Sequence, residues 1–421
     1  MSRTLILIFG LLVYLLLWIS PVSASSDSPA APLVVIGSGT AASCQSQSAV
    51  NAFSNAVATG GTITFNCGSQ LVTIEVNTSV TDKTVTIDGE NRVALSGDNL
   101  RQLFIVNDSG SLTLRNLILI DGQGFGGAAI RIESVGASAS IYNSFLTSHN
   151  SEGNNGGAIF NVGTLVIDGS NLGANSSNGF GGAIFNNGGA VTITNSTLIN
   201  NSARQGGAIF HAEGNVEIVN SAIRSNRAQD SIQVNQNQGG GLHIDVGTAT
   251  VINSTFFDNR AVGGGAIYTR ANALTLTNVT FNKNRADTGA ALWQVTGQTT
   301  AKNTIFANSR DTADSSDSLN CDGASINSGG RNIISDNSCV PNPSAVGDLH
   351  STDALLESPN FIGDNGGPTR TFMLMAGSPA IDYALNCPAI DQRGFPRPIG
   401  AGCDVGAVER GWLLFLPSLQ R

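Results

Sequence analysis

Residues 181–201 read Gly-Gly-Ala-Ile-Phe-Asn-Asn-Gly-Gly-Ala-Val-Thr-Ile-Thr-Asn-Ser-Thr-Leu-Ile-Asn-Asn, and the phrase begins again at Gly206. Its apolar residue recurs at Ile130, Ile159, Ile184, Ile209, Leu242, Ile267 and Leu292, in steps of 29, 25, 25, 33, 25 and 25 residues. A fixed period in the twenties is the mark of a solenoid, in which each unit buries its apolar face only against its neighbours. Each unit holds Gly-Gly, the strand-like Ala-Ile-Phe, the alternating Val-Thr-Ile-Thr, and an Asn-Ser turn into a third short strand. Three strands and three turns in 25 residues predict one coil of a parallel β-helix. A hairpin meander has no reason to keep that period and would carry two-residue Asn-Gly turns between its strands. The expected fold is therefore all-β, a right-handed parallel β-helix of about ten coils.

Stacked coils place like positions over one another at about 4.8 Å. Asn195, Asn220, Asn253, Asn278 and Asn303 step in time with the apolar ladder and are expected to form a structural asparagine ladder, with Asn143 as an earlier rung. A second polar ladder is expected from Asn150, Asn175, Asn200, Asn226, Asn259, Asn284 and Asn308. The residue after the apolar rung varies: Phe160, Phe185, Phe210, His243, Tyr268 and Trp293. Facing outward, this aromatic stripe is a flat stacking surface of the kind that binds sugar rings; facing inward, it is core. The single 33-residue step carries eight additional residues within 227–238, a polar loop on one face of the solenoid.

Composition agrees with this reading. The chain has 421 residues and 50 glycines, and only 12% of its residues are charged, so tight turns outweigh helix. The net charge of −9 argues against nucleic acid and anionic membrane surfaces. Residues 1–24 read as a secretory signal peptide: Arg3, the apolar run Leu5–Ile19, and the small-x-small Val22-Ser23-Ala24. No later stretch is apolar for long enough to span a membrane. Residues 25–32 are a linker, 33–310 the β-helix including less regular first coils, 311–410 a C-terminal cap, and 411–421 an apolar tail. Six cysteines in an exported chain suggest disulfides. Local pairing of Cys44 with Cys67, Cys321 with Cys339 and Cys387 with Cys403 is favoured, since each closes a short loop. No Cys-x-x-Cys occurs and no His adjoins a Cys, so no metal site is expected.

Many parallel β-helices cleave acidic polysaccharides. That chemistry needs clustered carboxylates, with calcium and a basic residue in lyases or paired acids in hydrolases. Here the acids are scattered at Asp168, Glu213, Glu217, Asp230, Asp245, Asp258 and Asp287, with Glu213 and Asp245, or Asp258 and Asp287, able to meet on neighbouring coils. The four histidines, His149, His211, His243 and His350, have no nucleophile motif beside them. No catalytic residue and no cofactor is assigned.

Gly156–Phe160, Gly181–Phe185, Gly206–Phe210 and Gly264–Tyr268, with Phe256–Asn259 and Phe281–Asn284, resemble the repeats of chlamydial polymorphic outer-membrane proteins. The resemblance implies a β-helical passenger linked to adhesion, and it covers the passenger alone. Residues 363–372, 377–382, 391–398 and 403–409 (Gly-Asp-Asn-Gly-Gly-Pro-Thr-Arg-Thr-Phe, Gly-Ser-Pro-Ala-Ile-Asp, Asp-Gln-Arg-Gly-Phe-Pro-Arg-Pro and Cys-Asp-Val-Gly-Ala-Val-Glu) resemble the choice-of-anchor Q region that ends many bacterial β-helix surface proteins of the pectin-lyase-like type. Together these imply an exported, secreted or cell-surface protein that binds a polysaccharide or other cell-surface polymer. A polysaccharide lyase or hydrolase, and a purely structural envelope component, are the alternatives.

Overall fold

The structure is a computed structural model that describes residues 32–411 apart from 154, 230–236, 315 and 342–345. The signal peptide, nearly all of the linker and tail, and the centre of the 227–238 insertion lie outside the described residues. The strands from Leu33 to Ile334 form a parallel β-helix of about 11 turns with about 26 residues per turn.

The inter-coil strand pairings are parallel, and their register shifts only at bulges after Asp88, Asn186, Asn187 and Ala301. Ile159 pairs with Ile184, Ile184 with Ile209, Ile209 with Leu242, Leu242 with Ile267, and Ile267 with Leu292. These side chains are fully buried in one continuous core. A second file of strands includes Thr164–Asp168, Thr248–Ile252 and Ala273–Thr277, and a third includes Asn171–Gly173, Thr197–Ile199 and Thr255–Phe257. In the third file the inward position passes from Leu146, Leu172, Leu198 and Ile223 to Phe256, Phe281 and Phe306, whose rings stack at 5.1 Å. The two glycines of the phrase do different work. Gly181 and Gly206 have φ of 69° and 63°, a region L side chains avoid. A Cβ on Gly182 would lie 2.1 Å from the Gly207 carbonyl oxygen of the next coil.

The turns are closed by three polar columns. The asparagines expected to form a ladder, Asn143, Asn195, Asn220, Asn253, Asn278 and Asn303, all sit in left-handed backbone with φ between 45° and 51°. Asn is among the residues that tolerate this conformation, and Gly169 takes the same role with φ 59°. The next position is a buried hydroxyl column. Ser144, Ser170, Ser196 and Ser221 each donate through the backbone N–H to the Oγ of the serine one coil on, at 3.0–3.2 Å. Their own hydroxyls donate to the carbonyl two residues back, as Ser196 does to Thr194 at 2.6 Å.

The third column is the inner asparagine ladder, and its register differs from the expected one. It runs Asn175, Asn201, Asn226, Asn259, Asn284. Each of the first four donates from both its backbone N–H and its Nδ2 to the Oδ1 of the next or, for Asn284, receives those bonds, at 2.9–3.1 Å. Asn200 is instead exposed in a left-handed turn, Asn150 pairs in a small outer sheet, and Asn308 bonds outward to Asn282. In Asn-Asn pairs the sequence leaves open which residue turns inward, and the inward one follows the left-handed residue. His149 is the first rung. Its N–H donates to Asn175 Oδ1 at 3.1 Å, its Nδ1 accepts from the Gly122 N–H at 3.0 Å, and its Nε2–H donates to the Leu119 carbonyl at 3.0 Å.

Two further departures concern the ends. The less regular first coils are not strands alone: Ala41–Gln45 and Gln47–Thr59 are helices. Ser46 caps the second by accepting from the Ala49 N–H, and Gly60 ends it with φ 88°. Its buried residues Ala49, Phe53, Ala56 and Val57 fall at helical spacing and pack into the first coils. At the other end, Cys321–Gly323, Asn327–Gly330 and Ile333–Ile334 pair with the preceding coil, so the region read as a cap from 311 begins with another coil.

The chain then returns along the side of the helix. Phe372, Leu374, Ala380, Ala384 and Val405 share an apolar cluster with outward-facing Phe257, Ala307 and Ile333. The left-handed asparagines hold it: Asn253 Nδ2 donates to the Ile390 carbonyl at 2.8 Å, Asn278 Nδ2 to Asp404 and Gly406 at 3.1 Å, and Asn303 Nδ2 to Leu385 at 3.0 Å. Gln392 accepts from Thr255 Oγ1 at 2.6 Å. Two buried ion pairs brace the segment internally: Arg393 with Asp391 at 2.7 Å, and Arg397 with Glu409 at 3.2 Å. Asp391 also accepts from the N–H groups of Arg393, Phe395 and Glu409, which offsets its loss of water. The disulfides are Cys44–Cys67, Cys321–Cys339 and Cys387–Cys403.

Candidate functional site

The aromatic positions alternate with the core residues, so the parity of two holds and their rings lie on the outer side of the strands. None belongs to the core cluster that contains the neighbouring Ile and Leu residues. They are in register from Phe160 through Phe185, Phe210, His243 and Tyr268 to Trp293. Ring centroids are 5.5, 5.5, 4.4 and 4.5 Å apart from Phe160 to Tyr268, with interplanar angles of 13–27°. Such pairs each contribute about 0.5–1.5 kcal/mol beyond their burial.

This geometry changes what the stripe can do. The rings face one another along the helix axis, so their faces are taken up by their neighbours. Phe180, 4.6 Å from Phe210, covers them further, and Arg204 lies over Phe180. Phe185, Phe210, His243 and Tyr268 are only 3–7% exposed. The middle of the column is therefore packing, while its two ends are more open. At the C-terminal end Trp293 meets Tyr268 edge-on at 81°. It lies across Gly263, where a Cβ would fall 2.1 Å from the indole.

At the N-terminal end the column continues, by register, from Phe160 to Arg131 and Ile105. Arg131 stacks 5.0 Å over the Phe160 ring, pairs through Nε with Glu133 at 2.6 Å, and donates to the Phe125 carbonyl. Two adjoining open recesses share Arg131 and Glu133. One is lined also by Asn107, Asp108, Ser134 and Phe160, and the other by Arg101, Gln102, Gln123 and Phe125. Phe125 is 78% exposed, unlike the packed rings below. An exposed ring beside a fixed guanidinium–carboxylate pair, amides and hydroxyls offers apolar contact and directed hydrogen bonds together. The sequence held a signal for this site: Phe125 stands alone between Gly124 and Gly126, outside the strand pattern.

Four of the scattered acids have structural partners. Asp168 accepts from Thr194 and Asn195, Asp245 pairs with Arg270 at 3.0 Å, and Asp258 pairs with Arg285 at 2.8 Å. Asp287 accepts from the Thr312 N–H and hydroxyl. Among the described residues no three His, Cys, Asp or Glu side chains come together as a metal site. Burial pushes His149 and His243 down to about 3 and His211 down to about 4. These imidazoles are neutral parts of the turns and the ring column. On the C-terminal segment burial pushes Asp404 up to about 6.

The fold and its columns define a parallel β-helix repeat protein. Residues 253–270 match the Chlamydia polymorphic membrane protein repeat. That stretch contains one member of each column: Asn253, Ser254, Phe256, Asn259, Ile267 and Tyr268. The chain has no match among curated proteins. Among the described residues no helix is long and apolar enough to cross a membrane.

Proposed function

We propose that this is an exported, surface-associated β-helix protein that binds a glycan or similar polymer in the recesses around Phe125, Arg131, Glu133 and Phe160. The observation that carries the reading is the change in the aromatic column, from closed ring packing in its middle to exposed Phe125 and a fixed Arg131–Glu133 pair at its N-terminal end. Export is supported by the apolar leader and by three disulfides with no free cysteine among the described residues. The polymorphic membrane protein repeat supports a place at the cell surface. The test is binding of the purified protein to a glycan array and to whole cells, with Phe125→Ala and Glu133→Gln beside it. Binding that falls about tenfold in both variants is expected, the loss of roughly one well-made contact. Absence of binding to any glycan or cell would sink the proposal, and so would binding indifferent to both substitutions.

A further inference from the structure

A second outer column carries charge. Parallel bridges join Arg227 to Arg260, Arg260 to Arg285, and Arg285 to Arg310. In earlier coils the same position is Asn150, Ser176 and Ser202, so the charge begins at Arg227. The following residues Ala228, Ala261 and Ala286 are buried, and the alternation of a strand turns the arginines outward. At about 4.8 Å per coil the four positions span about 14 Å. A file of like charges is unfavourable by itself. Arg260 is held below its usual range by burial first and then by Arg227 and Arg285, with Asp287 and Asp258 pulling the other way.

The chain's own acids neutralise this file at one end. Arg285 pairs with Asp258 at 2.8 Å and Asp314 at 3.3 Å, and Arg310 pairs with Asp317 at 3.2 Å. Among the described residues neither Arg227 nor Arg260 has an ion-pair partner within 4.0 Å. Asp287 and Asp258 offset part of the repulsion at Arg260 without pairing with it, and an external anion on Arg227 and Arg260 would offset more.

We infer that the column Arg227–Arg260–Arg285–Arg310 is a binding rail for an extended acidic polysaccharide. The polymer runs along the helix axis, with successive carboxylates or sulfates taken by Arg227 and Arg260. Guanidinium groups hold such oxyanions by paired, charge-assisted hydrogen bonds. One cation per coil matches a polymer with one acidic group per repeat of similar length. Duplex nucleic acid carries one charge per about 1.7 Å, far denser than this file. The flanking Asp258, Asp287 and Asp314 oppose it. The rail involves none of the residues around Phe125 and stands independently of that site.

The test is binding of the purified protein to polygalacturonate, neutral dextran and a short DNA duplex, by biolayer interferometry at low and high salt. Polygalacturonate is expected to bind, to weaken about tenfold at high salt, and to be favoured over dextran and duplex. Arg227→Gln with Arg260→Gln should weaken it about tenfold with an unchanged melting temperature. Asp314→Asn, which removes one of the two acids that each of Arg285 and Arg310 faces, should tighten it about threefold. Phe125→Ala should leave it unchanged, which separates this rail from the aromatic recess. Failure of the native protein to bind polygalacturonate would overturn the inference. Stronger binding to duplex, unaltered affinity in the double arginine variant, or no gain in Asp314→Asn would do the same.

Discussion

Three imidazoles are held neutral inside the helix, and this ties its stability to pH. His149 has both ring nitrogens committed as a neutral tautomer, accepting from Gly122 and donating to Leu119. His211 is fully buried beside Asn186, and His243 is enclosed between Phe210 and Tyr268. Their folded-state values of about 3, 4 and 3 lie below the ordinary 6.5. The unfolded chain therefore takes up these protons first. The stability they contribute is complete above about pH 6.5 and is lost as pH falls from there toward 4 and 3. At pH 5.0 each site has been drawn down over 1.5 pH units, which at about 1.4 kcal/mol per unit is about 2 kcal/mol, or about 6 kcal/mol for three. Asp404 works in the opposite direction. Its raised value of about 6 lets the folded state take up a proton before the unfolded one, which offsets about 1 kcal/mol over the single pH unit from about 6 to 5. The net loss between pH 7.5 and 5.0 is thus about 5 kcal/mol. The variant His149→Asn isolates one site, because Asn supplies the same donor and acceptor in the next rungs of that column. Its loss over the same interval is expected to be about 3 kcal/mol. Equilibrium urea unfolding followed by circular dichroism at the two pH values measures both quantities. A native protein equally stable at pH 7.5 and 5.0 would refute the reasoning, as would a variant that loses as much as the native chain.

Asn226→Ala removes the acceptor for Asn201 and the donor to Leu198 inside the helix, and should lower unfolding free energy by about 3–5 kcal/mol. Asn200→Ala, one residue from the neighbouring rung, exposed and left-handed, should cost only about 1–2 kcal/mol; urea midpoints of the two variants distinguish the registers. Arg393→Met leaves Asp391 buried without its cation, and should loosen the lateral segment by about 3–5 kcal/mol. Hydrogen exchange should then rise across residues 354–410 while coils 138–200 keep their protection; uniform exchange along the chain would contradict the assignment.

The period of 25 was enough to read the coil and the pairing of every Ile rung, because parallel in-register strands repeat their side chains by construction. The cysteine pairing was legible from short spacing in an exported chain. The inner ladder was harder to read. In Asn200-Asn201 the two residues are chemically identical, and only the left-handed turn at the first decides that the second points inward. The serine column is hidden in the sequence because Asn-Ser reads as a simple turn, although its hydroxyl bridges coils. Helix Gln47–Thr59 carried its own signals in Ser46, the apolar spacing of Ala49, Phe53 and Ala56, and Gly60, but the dominant β pattern masked them. The aromatic stripe was visible as a list, while the direction of its ring faces depends on stacking between coils, which no single repeat contains. The lateral course of the C-terminal segment had no periodic trace at all, since it rests on contacts more than 100 residues apart in the chain, such as Asn253 with Ile390.

That lateral segment also acts as a gauge of length. Its polar attachments to the coils fall on residues 220–303, beginning at Asn220 and Ser221 and ending at Asn303. Between those points one added or deleted coil would move the far contacts by a whole axial step and leave the segment out of phase. In coils 138–195 no such attachment exists among the described residues, and a whole repeat can be gained or lost with each ladder simply extended or shortened by one rung. The span beneath the segment therefore admits a fixed number of coils, with extra residues accommodated only as loops such as 227–238, whereas the coils before Asn220 have room for one more or one fewer.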